Sequence, residues 1–210
     1  MRLQAPLDDL FAGPSHVRVL RALHGLPAGL PASAREIARR AGISHPTGSK
    51  VLASLAEQGV VIRRRAPRAP AFELSRAHTA VERLTPLFEW EERLRQELFD
   101  RLRGELLRRA SSSVAAAYLF GSAARGEMTH TSDIDVAVLH APGATETVTT
   151  AMEEIGETVQ QRFGNRLTFI LTEATISELQ ESRGPGSRLW KQILREGIPI
   201  LEPHQERAVG

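Results

Sequence analysis

The 210 residues are 41% hydrophobic and 25% charged, a globular composition of a length that suits one or two domains. With no cysteine, disulfides, thiolate metal sites and a Cys nucleophile are excluded, and no apolar run approaches the ~20 residues of a membrane helix. The formal net charge of +2 hides an asymmetry: residues 1–77 carry 12 Lys/Arg against 5 Asp/Glu, residues 78–110 carry 7 of each, and residues 111–210 carry 8 against 13. A basic front and an acidic back predict two modules with different partners, at 1–77 and 111–210, joined by a neutral connector at 78–110. The opening MRLQAPLDDLFAG lacks the apolar core of a secretory signal, so a cytoplasmic protein with no membrane partner is expected.

In the front module, Val17, Leu20 and Leu23 recur at helical spacing within PSHVRVLRAL. Ser33 stands three residues before Glu36 as a capping box for a short helix over 34–40. Ser44 caps the next helix, 44–58, whose stripe is Val51, Leu52 and Leu55 and whose end is Gly59. Val60 to Ile62 and Ala71 to Leu74 then flank an Arg-rich tip, which predicts a β-hairpin. Helix, helix, turn, helix and basic hairpin resemble the winged helix-turn-helix domain of bacterial and archaeal regulators. The resemblance implies double-stranded DNA as a partner. It assigns His45, Thr47, Ser49 and Lys50, at the start of the recognition helix, to base edges. Arg63, Arg64, Arg65 and Arg68, on the wing, would meet phosphates or the minor groove.

The connector spaces Leu84, Leu87, Phe88, Leu94, Leu98, Leu102 and Leu106 three or four apart, which predicts a long amphipathic helix with a break near Pro86. Glu91 with Arg95 and Glu97 with Arg101 are expected as i,i+4 pairs on its solvent side. Because two-fold DNA sites need two readers, a homodimer through this helix is expected.

The back module centres on YLFGSAARGEMTHTSDIDVAVL, residues 118–139. An apolar strand ends in a tight Gly121-Ser122 turn, a polar loop follows, and a second strand opens with Asp133 and Asp135. Side chains alternate along a strand, so both carboxylates face one way, where a hard cation such as Mg²⁺ relieves their repulsion. The flanking elements read as strand 114–120, helix 147–163, strand 167–171, helices 176–180 and 187–195, and a closing segment 197–201. Together the chain is expected to be α+β, in two domains.

Gly121-Ser122, Arg125-Gly126 and Ser132-Asp133-Ile134-Asp135 resemble the signature of the DNA polymerase β-type nucleotidyltransferases, nearest their minimal branch. The resemblance implies an NTP with Mg²⁺ or Mn²⁺. Gly121, Ser122, Arg125 and Ser132 would lie at the nucleotide, and Asp133 and Asp135 would be the catalytic metal ligands. One departure stands out. Where catalysing relatives place a third carboxylate, on the strand after the long helix, this chain has Thr168, a poor metal ligand and no base at neutral pH. Glu173 is the nearest acid that could replace it. His130 in the loop is a minor candidate, and Trp90 and Trp190 read as packing residues.

Three functions stay open at this point. The first is a DNA-binding transcriptional regulator with a nucleotide-binding, nucleotidyltransferase-like domain. The second is an active transferase, antitoxin-like or modifying a protein or small molecule. The third is a pseudo-enzyme that serves as an interaction module.

Overall fold

The computed structural model describes residues 13–202, apart from Arg68 and the side chain of Pro185. The Arg68 expectation therefore lies outside the described residues. These residues form two compact units that divide between Arg93 and Leu94. Among them no helix is long and apolar enough to cross a membrane.

The first unit runs α1 (Pro14–His24), β1 (Ala32–Ser33), α2 (Ala34–Arg40), α3 (His45–Glu57), β2 (Val61–Arg64), β3 (Ala71–Leu74), and the start of α4 (Thr79–Ala110). Its sheet is antiparallel in the order β1-β3-β2, with Val61 opposite Leu74 and Ala32 opposite Phe72. The short β1 carries no apolar alternation, and only its pairing with β3 reveals it. Leu23, Ile37, Leu52, Leu55 and Phe72 meet in one core. Half of the expected capping box forms. Ser33 Oγ accepts from Glu36 N at 3.2 Å, but the Glu36 carboxylate turns forward to Arg39 and Arg40. Gly59, at φ +73°, reverses the chain after α3 as expected.

The long helix α4 corrects two expectations. It runs unbroken through Pro86, which is exposed in the second turn, while Thr85 Oγ1 donates to Val81 O at 2.9 Å. An exposed carbonyl left without its N–H partner there can turn to water, which lowers the usual penalty of an interior proline. Glu91 is not on the solvent side. It is buried and takes Arg21 Nε at 2.8 Å, so α1 covers that face. Arg95 instead donates to Ala124 O at 3.1 Å, and Arg101 lies 3.5 Å from Glu105. Leu94, Leu98, Leu102 and Leu106 are all buried, but Leu87 is exposed.

The second unit continues with β4 (Val114–Phe120), α5 (Gly121–Arg125), β5 (Ile134–His140), α6 (Thr145–Phe163), β6 (Leu167–Thr172), α7 (Ile176–Glu181), α8 (Pro185–Glu196) and β7 (Ile198–Leu201). The sheet order is β6-β5-β4-β7. β5 and β6 are parallel, joined over α6, and the other pairs are antiparallel. Ala116, Tyr118, Ala137 and Leu139 pack under α7 and α8 through Leu179, Ile193 and Trp190. Val136 and Val138 alternate to the opposite face, toward α6, where a Cβ on Gly156 would lie 3.8 Å from that of Leu167. Every residue of β5 except Asp135 is buried, as befits a central strand covered on both sides.

Candidate nucleotide site and nucleic-acid interface

The C-terminal end of β4 and the N-terminal ends of β5, β6 and β7 converge at one edge of the second sheet. There the expected tight turn proves to be a helical one. Gly121 adopts φ +68°, open to glycine at little cost, and starts α5 directly. Gly126 ends it at φ +74°, where Glu127 N donates to Ser122 O at 2.9 Å. A Cβ in place of the Gly121 hydrogen would come 2.2 Å from Asp135 Oδ2, so the carboxylate would have to shift. Gly121 and Asp135 are thus in direct contact.

Asp135 opens into this edge from β5, and Asp133 precedes the strand by one residue. Asp135 is in register with Thr168 on β6, and Thr168 Oγ1 donates to Asp135 Oδ1 at 2.5 Å. Thr168 thus faces Asp135 across the β5-β6 pair. Glu173 does not take its place. It lies five residues beyond Thr168, just past the end of β6 and about 16 Å of strand away, and accepts from Gly143 N at 3.2 Å and Thr145 Oγ1 at 3.0 Å at the far end of the sheet. Among the described residues no group of three His, Cys, Asp or Glu side chains is placed to hold a metal.

The other expected groups are dispersed. Ser132 Oγ accepts from Thr129 N at 2.9 Å, so its hydroxyl closes the loop. Arg125 is exposed and bonded to Glu127 at 2.7 Å, and His130 is exposed. Sequence reasoning missed Asn165. It is 2% exposed, and its Nδ2 donates to Ser132 O at 2.9 Å while Arg166 O accepts from Ile134 N at 2.8 Å. The loop before β6 thereby clamps the backbone on both sides of Asp133. A polar residue directly after the helix-ending Gly164 was the only signal.

In the first unit, α3 exposes His45 and Lys50, with Ser49 Oγ 3.4 Å from His45 Nε2. Thr47 is drawn into the cap, its hydroxyl 2.8 Å from that of Ser44 and its N–H on the same oxygen. Gly48, not foreseen as important, faces α2, and a Cβ there would come 2.7 Å from the Ala38 Cβ. Two small residues let α2 and α3 cross closely, which sets how α3 is presented. Arg63 and Arg65 are exposed on the wing, whereas Arg64 is held by Glu73 across the hairpin at 2.6 Å. Glu36, between the Arg39 and Arg40 guanidiniums that hydrogen-bond it, has its carboxyl pulled down to about 2.

The first unit is thus a winged helix-turn-helix and the second a nucleotidyltransferase fold. Residues 13–69 match the family model described as MarR family, and residues 99–182 match that of the nucleotidyltransferase domain. The chain joins a MarR-family winged helix domain to a nucleotidyltransferase domain. Among solved structures, one similar chain is a toxin–antitoxin crystallised with AMP-PNP, at 20% identity and a TM-score of 0.37. Another is a mutant of the toxin–antitoxin MntA-HpeT, at 18% identity and a TM-score of 0.36. Each likeness covers 51% of this chain and 75% of the other. No curated protein matches the chain.

Proposed function

We propose that this protein is a cytoplasmic DNA-binding transcriptional regulator whose nucleotidyltransferase domain binds a nucleoside triphosphate with Mg²⁺ or Mn²⁺ and turns it over poorly. The observation that carries this reading is the Thr168 hydrogen bond to Asp135. Asp133 and Asp135 suit one hard cation, which would neutralise phosphate charge, and the backbone at Gly121 and Ser122 suits the phosphates themselves. Thr168 donates to Asp135 and orients its carboxylate, but a hydroxyl cannot take a proton from an attacking acceptor at neutral pH. Losing a general base removes about 10²–10⁴-fold in rate and leaves ground-state binding largely intact. On the front unit, Lys50, Arg63 and Arg65 would hold phosphates while His45 and Ser49 reach base edges. A homodimer completes this reading, since paired half-sites need two readers.

The test is calorimetry with each NTP, with and without Mg²⁺, beside incorporation from α-labelled NTP. Wild type is expected to bind and to label weakly. Asp133→Ala with Asp135→Ala should abolish binding, and Thr168→Asp should raise labelling. Absence of any NTP binding sinks the reading. The intact Gly121, Asp133 and Asp135 favour a second reading, an active transferase with a protein among its acceptors, and strong wild-type labelling of an acceptor would establish that one.

A further inference from the structure

Beside Gly121, α8 passes the end of β4 with Leu189, Gln192, Ile193 and Glu196 on one face, the spacing of neighbours on a helix. Together with Phe120 they enclose a cavity of about 200 Å³. Gly121 borders both this cavity and the Asp135 carboxylate, so only the thickness of a glycine backbone separates the two.

The walls divide by chemistry. Phe120, Leu189 and Ile193 are apolar, and Leu189 is 43% exposed at the cavity. Glu196, Gln192 and Arg125 are the polar groups: Glu196 accepts from Gln192 Nε2 at 2.9 Å and Arg195 Nη2 at 2.5 Å, and Arg125 donates to Glu127 at 2.7 Å. The two hydrogen bonds to Glu196, with the charges of Arg195 and Arg125 behind them, hold its carboxyl below the usual range, so it stays ionised. A carboxylate offers about four lone-pair sites, so Glu196 keeps capacity for N–H groups of a ligand. Arg125 lines the same cavity and offsets the Glu196 charge, so the cavity's size and apolar walls, rather than charge, favour a base over a phosphate. The volume falls below the roughly 300–1,000 Å³ typical of pockets for drug-sized ligands, which suits one ring system and not a whole nucleotide.

We infer that this cavity takes the nucleobase of the bound nucleoside triphosphate, with an amino-bearing base edge donating to Glu196. The inference rests on the nucleotide reading above and adds to it a subsite and a preference for adenine, guanine or cytosine over uracil.

Calorimetry on the full chain separates the two. Mg²⁺ with inorganic tripolyphosphate probes the phosphate site alone, and ATP, GTP, CTP and UTP probe the cavity. At least one amino-bearing NTP is expected to bind about tenfold more tightly than tripolyphosphate, with UTP close to tripolyphosphate. Leu189→Trp, at an exposed position, should bring the favoured NTP down to the tripolyphosphate level. The near-isosteric Glu196→Gln should narrow the gap to UTP. If tripolyphosphate binds and no NTP binds better, or if both variants keep the wild-type preference, the subsite is overturned while the phosphate reading stands. If neither tripolyphosphate nor any NTP binds, both fall.

Discussion

In the winged-helix unit the candidate groups for a partner are those that structural pairing leaves over, whereas in the nucleotidyltransferase unit the candidate groups are fixed by strand register. Arg39 and Arg40 are ion-paired with Glu36 and Arg64 with Glu73, whereas Arg35, Lys50, Arg63 and Arg65 are exposed without an ion pair among the described residues. Asp135, by contrast, owes its neighbour to the parallel pairing that sets it opposite Thr168, and its open surroundings to a glycine. Charge surplus tolerates single substitutions because it is shared. Register does not, because one residue in each strand decides it.

The sharpest way to break this comparison is at the two glycines that each unit depends on. Gly121→Ala combines a left-handed backbone with a Cβ driven into Asp135, together about 2–4 kcal/mol. Thermal unfolding should show that loss in the C-terminal unit, and Mg²⁺-NTP binding should fall with it. Gly48→Ala presses on Ala38 at a cost of about 1–3 kcal/mol, partly offset by the ~1 kcal/mol that alanine gains over glycine within a helix. A smaller shift in melting is therefore expected, with weakened DNA binding and unchanged nucleotide binding. Equal effects of the two on both ligands would erase the distinction between the units.

A finer test addresses the leftover charges. Arg63→Ala with Arg65→Ala should lower the slope of log affinity against log salt by about 2, near 0.9 for each phosphate no longer neutralised. Arg64→Ala should lower it less, because Glu73 already neutralises that side chain. An equal slope change from Arg64 alone would mean that the hairpin pair opens on DNA. The smallest expected effect is Glu36. Its folded pKa is depressed, so its contribution to stability is present above the unfolded value of about 4.5 and is lost as pH falls toward about 2. Denaturant melts of wild type and Glu36→Gln should converge over that interval and differ slightly above it.

Much of this was legible from residue order alone. Apolar spacing located α1, α3 and α6, a cap located α2, and the Gly-Ser and Asp-x-Asp elements lie at one sheet edge. Thr168 lies level with Asp135 because β5 and β6 are parallel strands of similar length joined by a long helix. The place of Glu173 was not legible, since its being an acid near a strand end does not tell which end of the sheet that is. Glu91 failed for a related reason. A helical wheel separates apolar from polar faces, but it cannot know that α1 brings Arg21 to the polar one. Gly48 and Asn165 carry no period at all, and only the packing around them shows what they do.

The burial of β5 has one more consequence. Six of its seven residues are sealed, and Asp135 is the single opening through which solvent reaches the central strand. Amide exchange along 134–140 should therefore be slow throughout and leak mainly from that end. A ligand arriving there would close the leak, reporting its own arrival without any label.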